Sequence, residues 1–148
     1  MENDIQSERA VAAILDHIRS LESYVERSGA RLVRSTLPES VHGRVSHDVI
    51  MLRVDLDPEQ ELLTLVHELA HWLAHRGVRA HQPCTVFEYE AEAVEAVVMA
   101  RLGLPRPSAH DDSPTDDLLS ASVTRVIWAS SRICDALGVD TDRQASKA

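Results

Sequence analysis

Two histidines and a glutamate near the middle of the chain are spaced in a way that suits metal-assisted hydrolysis. The sequence reads His67-Glu68-Leu69-Ala70-His71, and residues four apart on a helix lie one turn above each other, so both imidazoles point the same way. Two such imidazoles can hold one Zn²⁺ at roughly 2.0–2.1 Å each. Glu68 lies beside the metal position, where its carboxylate can take a proton from a water that the metal activates. The spacing therefore predicts hydrolysis rather than storage of a metal.

The third metal ligand is sought in the segment that follows, because a catalytic zinc site uses three protein ligands and leaves the fourth position for water. Four glutamates lie close together there: Glu88, Glu90, Glu92 and Glu95. Glu90 follows His71 after 18 intervening residues, and it shares a predicted helix face with Val94, so we expect it to point inward and to bind the metal. The other three glutamates fall on a separate face. Glu92 and then Glu88 are the alternatives for the ligand role.

A second interpretation of the same residues involves no metal. In that interpretation His67, His71 and His75 lie on a solvated helix face, and the glutamates are ordinary surface charge. The position of the pattern on a helix with a clear beginning and end favours the metal interpretation, since a chance occurrence could equally have fallen in a loop.

Apolar residues at helical spacing predict four helices, which must position these side chains. The helices are expected over residues 4–27, 58–75, 87–102 and 116–137. The second has the clearest start, because Asp57 is a good N-cap and Pro58 suits the first helical position. It is this helix that carries the two histidines.

Two short strands are predicted between the first and second helices, over residues 31–35 and 48–54. The segment between them contains Gly43 and is interpreted as a turn or loop. Residues 78–86 and 104–114 are also expected to be loops. The strands are too few to be stable alone, so we expect a small sheet packed against the helices, in an α+β fold.

The composition of the chain suits a single globular domain over residues 1–148, with frayed ends at 1–3 and 139–148. The chain has 15 Lys+Arg against 24 Asp+Glu, and its formal net charge is -9. An acidic surface repels phosphate, so direct binding of nucleic acid is not expected. No apolar run approaches the roughly 18 residues of a membrane span, so no membrane partner is expected. Cys84 and Cys134 do not form a disulfide framework and fit a cytoplasmic location.

Two stretches also resemble a known family. Residues 65–76, LVHELAHWLAHR, look like the active helix of the ImmA/IrrE-type zincin-like metallopeptidases, especially the metallopeptidase domain of ArdC-like antirestriction proteins, which typically read HELAHWLLHR. Residues 88–94, EYEAEAV, are similar to the family's E-x-E-A-E-A-V stretch. The HExxH-x18-E arrangement is also that of the gluzincin aminopeptidases. The resemblance extends over about residues 45–104.

The resemblance implies a minimal zincin-like domain, with a small β-sheet packed against about four helices. It implies that His67, His71 and Glu90 hold Zn²⁺, because a glutamate before alanine completes the family's zinc site. Glu68 would then be the general base. The implied substrate is a protein, such as a repressor or another regulator.

A further hypothesis is a catalytically weak zinc protein of regulatory or antirestriction type, which acts by protein–protein contact. Family members often have a tyrosine or another hydrogen-bond donor after the third helix, and this sequence has none at 116–119. Losing such a donor costs on the order of 10²–10³ in rate. His110, His75 and Tyr89 are the candidates to replace it. Replacing Glu68 with glutamine would separate the two hypotheses.

Overall fold

In the described part of the chain one helix is followed by three strands and then by three helices, and the small sheet packs against the helices. A computed structural model describes residues 1–77, 84–106 and 116–139. In this part of the chain the elements are α1 (Glu2–Arg27), β1 (Arg31–Ser35), β2 (Gly43–Ser46), β3 (Val49–Arg53), α2 (Pro58–His75), α3 (Cys84–Leu102) and α4 (Asp116–Leu137). The α+β prediction is confirmed.

The start of α2 follows from its first residues. The side chain of Asp57 accepts a hydrogen bond from the backbone N–H of Gln60 at 2.9 Å, and Pro58 occupies the first turn. An N-cap of this kind stabilises a helix by about 0.5–2 kcal/mol. The predicted beginning of this helix is confirmed, and its end at His75 is also as predicted. His67 and His71 therefore lie in the interior of a helix whose N-terminus is capped.

The sheet contains one strand that the sequence analysis interpreted as a loop. The strand order is β1-β3-β2, with β1 parallel to β3 and β2 antiparallel to β3. The loop prediction for residues 43–46 is wrong because Gly-Arg-Val-Ser has little strand propensity of its own. Pairing with β3, in which Val45 lies opposite Ile50, holds it in place.

The edge strand β2 runs close to α2, and its first residue must be small. A Cβ atom at Gly43 would lie 2.7 Å from Cγ2 of Thr64 and 2.9 Å from Cγ of Glu68. Real Cβ contacts are not this short, so only glycine fits without a shift of α2 or β2. Strand β2, which was not predicted from the sequence, therefore packs directly against α2, the helix that carries His67 and His71.

The core lies between the sheet and the helices, and α2 crosses its centre. The largest fully buried apolar side chains are Leu21, Val25, Ile50, Leu52, Leu62, Leu65, Val66, Leu69, Val94, Val98 and Ile133. They come from α1, β3 and the other three helices, so each of these elements contributes to one cluster. Burial of one such side chain contributes about 1.5–3 kcal/mol. One face of α2 is thereby fixed in the core while the opposite face is left for polar residues.

The boundaries of three elements differ from the predictions, and one of these is β3, which covers Val49–Arg53 instead of residues 48–54. Helix α1 begins at Glu2 instead of residue 4, and α3 begins at Cys84, three residues before the expected start. Residues 78–83 and 107–114 of the predicted loops, residue 115, and the tail from 140 onward lie outside the described residues. None of the described helices is both long enough and apolar enough to cross a membrane.

Candidate metal centre

Three potential metal ligands converge between α2 and α3. The Nε2 atoms of His67 and His71 are 3.2 Å apart. One carboxylate oxygen of Glu88 lies 3.0 Å from Nε2 of His71, and the other lies 3.2 Å from Nε2 of His67. One ligand atom from each residue can be chosen so that all lie within 4.8 Å of one another. Two imidazoles and a carboxylate are the donor set of many catalytic zinc sites, so these residues fit a divalent metal.

The charges in this cluster are balanced so that a cation is favoured. Hydrogen bonds with His67 and His71 hold the pKa of the Glu88 carboxyl well below its usual range. Burial lowers the pKa of His67, but its hydrogen bonds with Glu88 and Glu95 outweigh burial and raise this pKa to about 10. A metal at Nε2 of His67 would take the place of the proton that this raised pKa favours.

Glu90, the expected third ligand, is not brought to the histidine pair. Its side chain is fully buried, with 0% exposure. It accepts hydrogen bonds from Nη2 of Arg125 at 2.6 Å and from Nε of Arg125 at 3.0 and 3.1 Å. Its Oε2 atom also lies 2.8 Å from Nε2 of His75. Glu90 therefore points inward, as predicted, but toward Arg125 and His75, and Glu88 occupies the place beside His67 and His71.

The helical geometry explains why Glu88 and Glu90 face different surroundings. Two residues along an α-helix are separated by about 200° around its axis. Glu88 and Glu95 are seven apart, close to two turns, and both contact His67. Glu92, the other alternative, is half-buried and makes no hydrogen bond or ion pair within the described part of the chain.

The carboxylate of Glu68 lies beside the cluster in a mostly buried position. Its exposure is 8%. Burial raises the pKa of Glu68, and the opposing pull of His67 and His71 does not cancel this effect. A carboxylate with a raised pKa is better suited to accept and return a proton near neutral pH.

Two cavities meet at this cluster. The larger, of about 680 Å³, is lined in part by His71, and the smaller, of about 380 Å³, is lined in part by His67. Gly43, Glu68 and Glu88 line both. The candidate ligands and Glu68 therefore lie where two hollows meet along β2, which is the arrangement a cleaved chain needs if it continues on both sides of the reacting bond.

Three residues for which the sequence predicted no role lie behind the histidines: Glu95 contacts His67, and two arginines contact glutamates. Nδ1 of His67 lies 2.8 Å from Oε2 of Glu95, and Nε of Arg106 donates to Oε1 of Glu95 at 3.0 Å. Arg125 supports Glu90 in a similar way. The seven-residue spacing of Glu88 and Glu95 was a usable signal. Neither arginine had one, since each is brought in by the tertiary fold alone.

Of the three candidates for an oxyanion donor, His75 already uses both of its ring nitrogens in other contacts. Both ring nitrogens of His75 lie within hydrogen-bonding distance of other side chains, 3.0 Å from Nδ1 of His71 and 2.8 Å from Glu90. His110 lies outside the described residues. Tyr89 is half-buried on α3.

A small sheet under an HExxH helix, with a carboxylate from the next helix beside the histidines, defines the zincin-like class of metal site. The family model described as Peptidase_M78, the IrrE N-terminal-like domain, matches residues 25–121. That is more than half of the chain, so the protein belongs to this family of metallopeptidases, as the resemblance predicted. Membership implies a divalent metal and a protein substrate. A particular closeness to ArdC-like proteins stays a prediction. No curated protein and no solved structure matches the chain.

Proposed function

We propose that this protein is a zinc-dependent peptidase in which His67, His71 and Glu88 hold the metal and Glu68 is the general base. The observation that carries the proposal is the convergence of two Nε2 atoms and the Glu88 carboxylate, with one ligand atom from each within 4.8 Å of the others. In this assignment Glu88 replaces Glu90, so that 16 residues instead of 18 separate the ligand from His71. Glu88, which the sequence analysis placed last of the three candidates, is therefore proposed as the third ligand.

The residues of the chain divide the work of hydrolysis. A bound divalent ion would supply polarisation of the peptide carbonyl and would lower the pKa of water toward 7. The carboxylate of Glu68 accepts the proton of the attacking water at one oxygen and then gives it to the nitrogen of the leaving amine. The raised pKa of Glu68 supports both transfers. His67 and His71 would hold the ion through Nε2, which leaves their Nδ1 atoms for contacts with Glu95 and His75.

The two cavities support a polypeptide as the substrate. The larger contains Trp72 and Phe87 among its lining residues, and the smaller contains Leu63 and Thr64. A chain that lies along β2 would place side chains in both. A repressor or other regulatory protein is the substrate that the family resemblance favours.

The ligand assignment is tested by metal content. We would measure zinc by elemental analysis in the wild type, His71→Ala, Glu88→Ala and Glu92→Ala, each after incubation with zinc and desalting. We expect about one zinc per chain in the wild type and in Glu92→Ala, and almost none in the other two. Zinc retained in Glu88→Ala would move the third ligand elsewhere, and a wild type that binds no metal would contradict the proposal as a whole.

The general base is tested with Glu68→Gln. The zinc-loaded variant and wild type would be incubated with a library of unstructured peptides, and new termini would be identified by mass spectrometry. We expect cleavage by the wild type and its loss in Glu68→Gln at unchanged zinc content. A zinc-loaded wild type that cleaves nothing in the library would instead favour the contact-acting regulatory protein.

A further inference from the structure

Each histidine of the cluster uses one ring nitrogen toward Glu88 and has a second nitrogen directed away from it. For His67 the second nitrogen, Nδ1, contacts the carboxylate of Glu95. For His71, Nδ1 lies 3.0 Å from Nδ1 of another imidazole, that of His75. A ligating imidazole is normally held by a group behind it, which fixes its ring orientation and its tautomer. In His71 this group is itself a histidine, which could either donate or accept.

The residues behind His75 decide which of the two it does. Nε2 of His75 lies 2.8 Å from Oε2 of Glu90, and the carboxylate of Glu90 is paired with Arg125. A carboxylate next to a guanidinium stays ionised and can only accept hydrogen bonds. Nε2 of neutral His75 must therefore carry the proton, which leaves its Nδ1 as an acceptor. Nδ1 of His71 would then donate, and a metal that takes the place of the contact between Nε2 of His71 and Glu88 would find the lone pair of Nε2 available.

We propose that His75, Glu90 and Arg125 are positioning residues that hold His71 in the one tautomer able to bind a metal through Nε2. This inference rests on the proposed function. The reverse order of protons would place a lone pair of His75 against the Glu90 carboxylate and would put a proton on Nε2 of His71. The negative charge of Glu90 therefore sets the polarity of the whole chain of contacts.

The surroundings of these residues are built to keep this arrangement. The side chain of His75 is 9% exposed and that of Glu90 is fully buried. The ring of Phe87 packs on the ring of His75 with centroids 4.2 Å apart, which limits rotation of the imidazole. Burying a carboxylate is costly unless it is paired and hydrogen-bonded, and the contacts with Arg125 meet that condition from α4.

The same arrangement occurs in a shorter form behind His67. There the carboxylate of Glu95 contacts Nδ1 directly, and Arg106 donates to that carboxylate. Each ligand histidine is thus supported by a glutamate that an arginine holds. The two supports come from α3, and their arginines come from the segment after α3 and from α4.

The first test uses the wild type and needs no substitution. The protein would be labelled with ¹⁵N-histidine, loaded with zinc, and its ring nitrogens assigned by NMR. We expect His71 as the Nδ1–H tautomer and His75 as the neutral Nε2–H tautomer. A proton on Nδ1 of His75, or a charged His75 ring, would overturn the inference.

The second test measures zinc affinity by competition with a chelating dye. Glu90→Gln removes the charge that orients the chain, and Glu92→Gln is a matched control on the same helix. We expect affinity to fall about 10–100-fold in Glu90→Gln, as is usual for a residue behind a ligand, and to change less than about twofold in Glu92→Gln. Absorption spectra of the cobalt-loaded proteins should change in Glu90→Gln only, which a purely structural role would not produce.

The outcomes separate this inference from the function on which it rests. Unchanged affinity and an unchanged cobalt spectrum in a folded Glu90→Gln protein would overturn the inference while the wild type still binds zinc. A wild type that binds no zinc would overturn both. Loss of affinity in Glu92→Gln to the same extent would also overturn the inference, because the effect would then reflect the net charge of α3.

Discussion

Glu88 and Glu90 are two residues apart on one helix, but their side chains lie in different environments. The side chain of Glu88 is 58% exposed and faces His67 and His71, whereas that of Glu90 is 0% exposed and faces His75 and Arg125. The groups that face Glu88 are two imidazoles, and a metal could take the place of a proton on them. The charge that balances Glu90 belongs to arginine, which does not lose its proton in proteins. If Glu88 is the ligand, as proposed, then burial alone does not identify a metal ligand, and the kind of countercharge matters more.

The largest effect that tests this comparison is expected from Glu90→Ala. The variant removes a buried carboxylate and leaves the charge of Arg125 without this partner. Breaking a buried pair costs about 3–5 kcal/mol, and because Arg125 is partly exposed we expect a loss of about 3 kcal/mol in the free energy of unfolding of the metal-free protein. Urea unfolding would measure it, with Glu92→Ala as the control. A loss below about 1 kcal/mol would mean that Glu90 is not a structural anchor.

The second largest effect is expected from Glu88→Gln, which should weaken zinc binding strongly and change stability little. The free energy of unfolding without metal should change by less than about 1 kcal/mol, since the pair is half-exposed. Zinc affinity should fall by more than the roughly 100-fold upper end for residues that only support a ligand. Dye competition and urea unfolding on the same preparation would measure both. Glu90→Gln is the counterpart, and a larger loss of zinc affinity in it than in Glu88→Gln would reverse the assignment.

A smaller loss of stability is expected from Gly43→Ala, which disturbs the side chain of Glu68. Glu68 is buried like Glu90 but lines both cavities like Glu88. The new methyl group would press on Thr64 and Glu68, and overpacking of this kind costs about 1–3 kcal/mol. Thermal unfolding would measure the loss. Adding Thr64→Ser removes the nearest contact and should recover part of the stability; no recovery would mean that the strain lies elsewhere.

The smallest effect is expected from Glu92→Gln, which carries neither role. Glu92 has no hydrogen bond or ion pair within the residues that the structure covers. Surface substitutions of this kind usually change stability by less than about 0.5 kcal/mol. Zinc content and urea unfolding should match the wild type. A clear loss of zinc would restore Glu92 as a ligand and would weaken the contrast between Glu88 and Glu90.

The local features of the chain were predictable from the sequence. Asp57 and Pro58 mark the start of α2 because capping depends on neighbouring residues alone. The spacing of His67 and His71 fixes their common face for the same reason. Strand β1 also has the predicted bounds. The α+β class followed from these elements together.

Features that depend on distant parts of the chain were not predictable. Strand β2 exists because β3 offers it a pairing edge. The inward direction of Glu90 was predicted correctly, but the sequence could not say what would meet it there. Its partner Arg125 lies 35 residues away along the chain, and no local pattern links the two.

The separation of Glu90 and Arg125 along the chain also affects the order in which the site forms during synthesis. A chain that has been made only as far as α3 already contains both histidines, Glu68 and Glu88. It lacks Arg125, which together with His75 faces the buried Glu90 carboxylate, so we expect α2 and α3 to pack less stably around that carboxylate until α4 arrives. We expect the nascent chain to acquire its hydrolytic centre late, after α4 has left the ribosome. If the site hydrolyses peptides as proposed, this order would keep it incomplete while unfolded segments of its own chain are the nearest substrates.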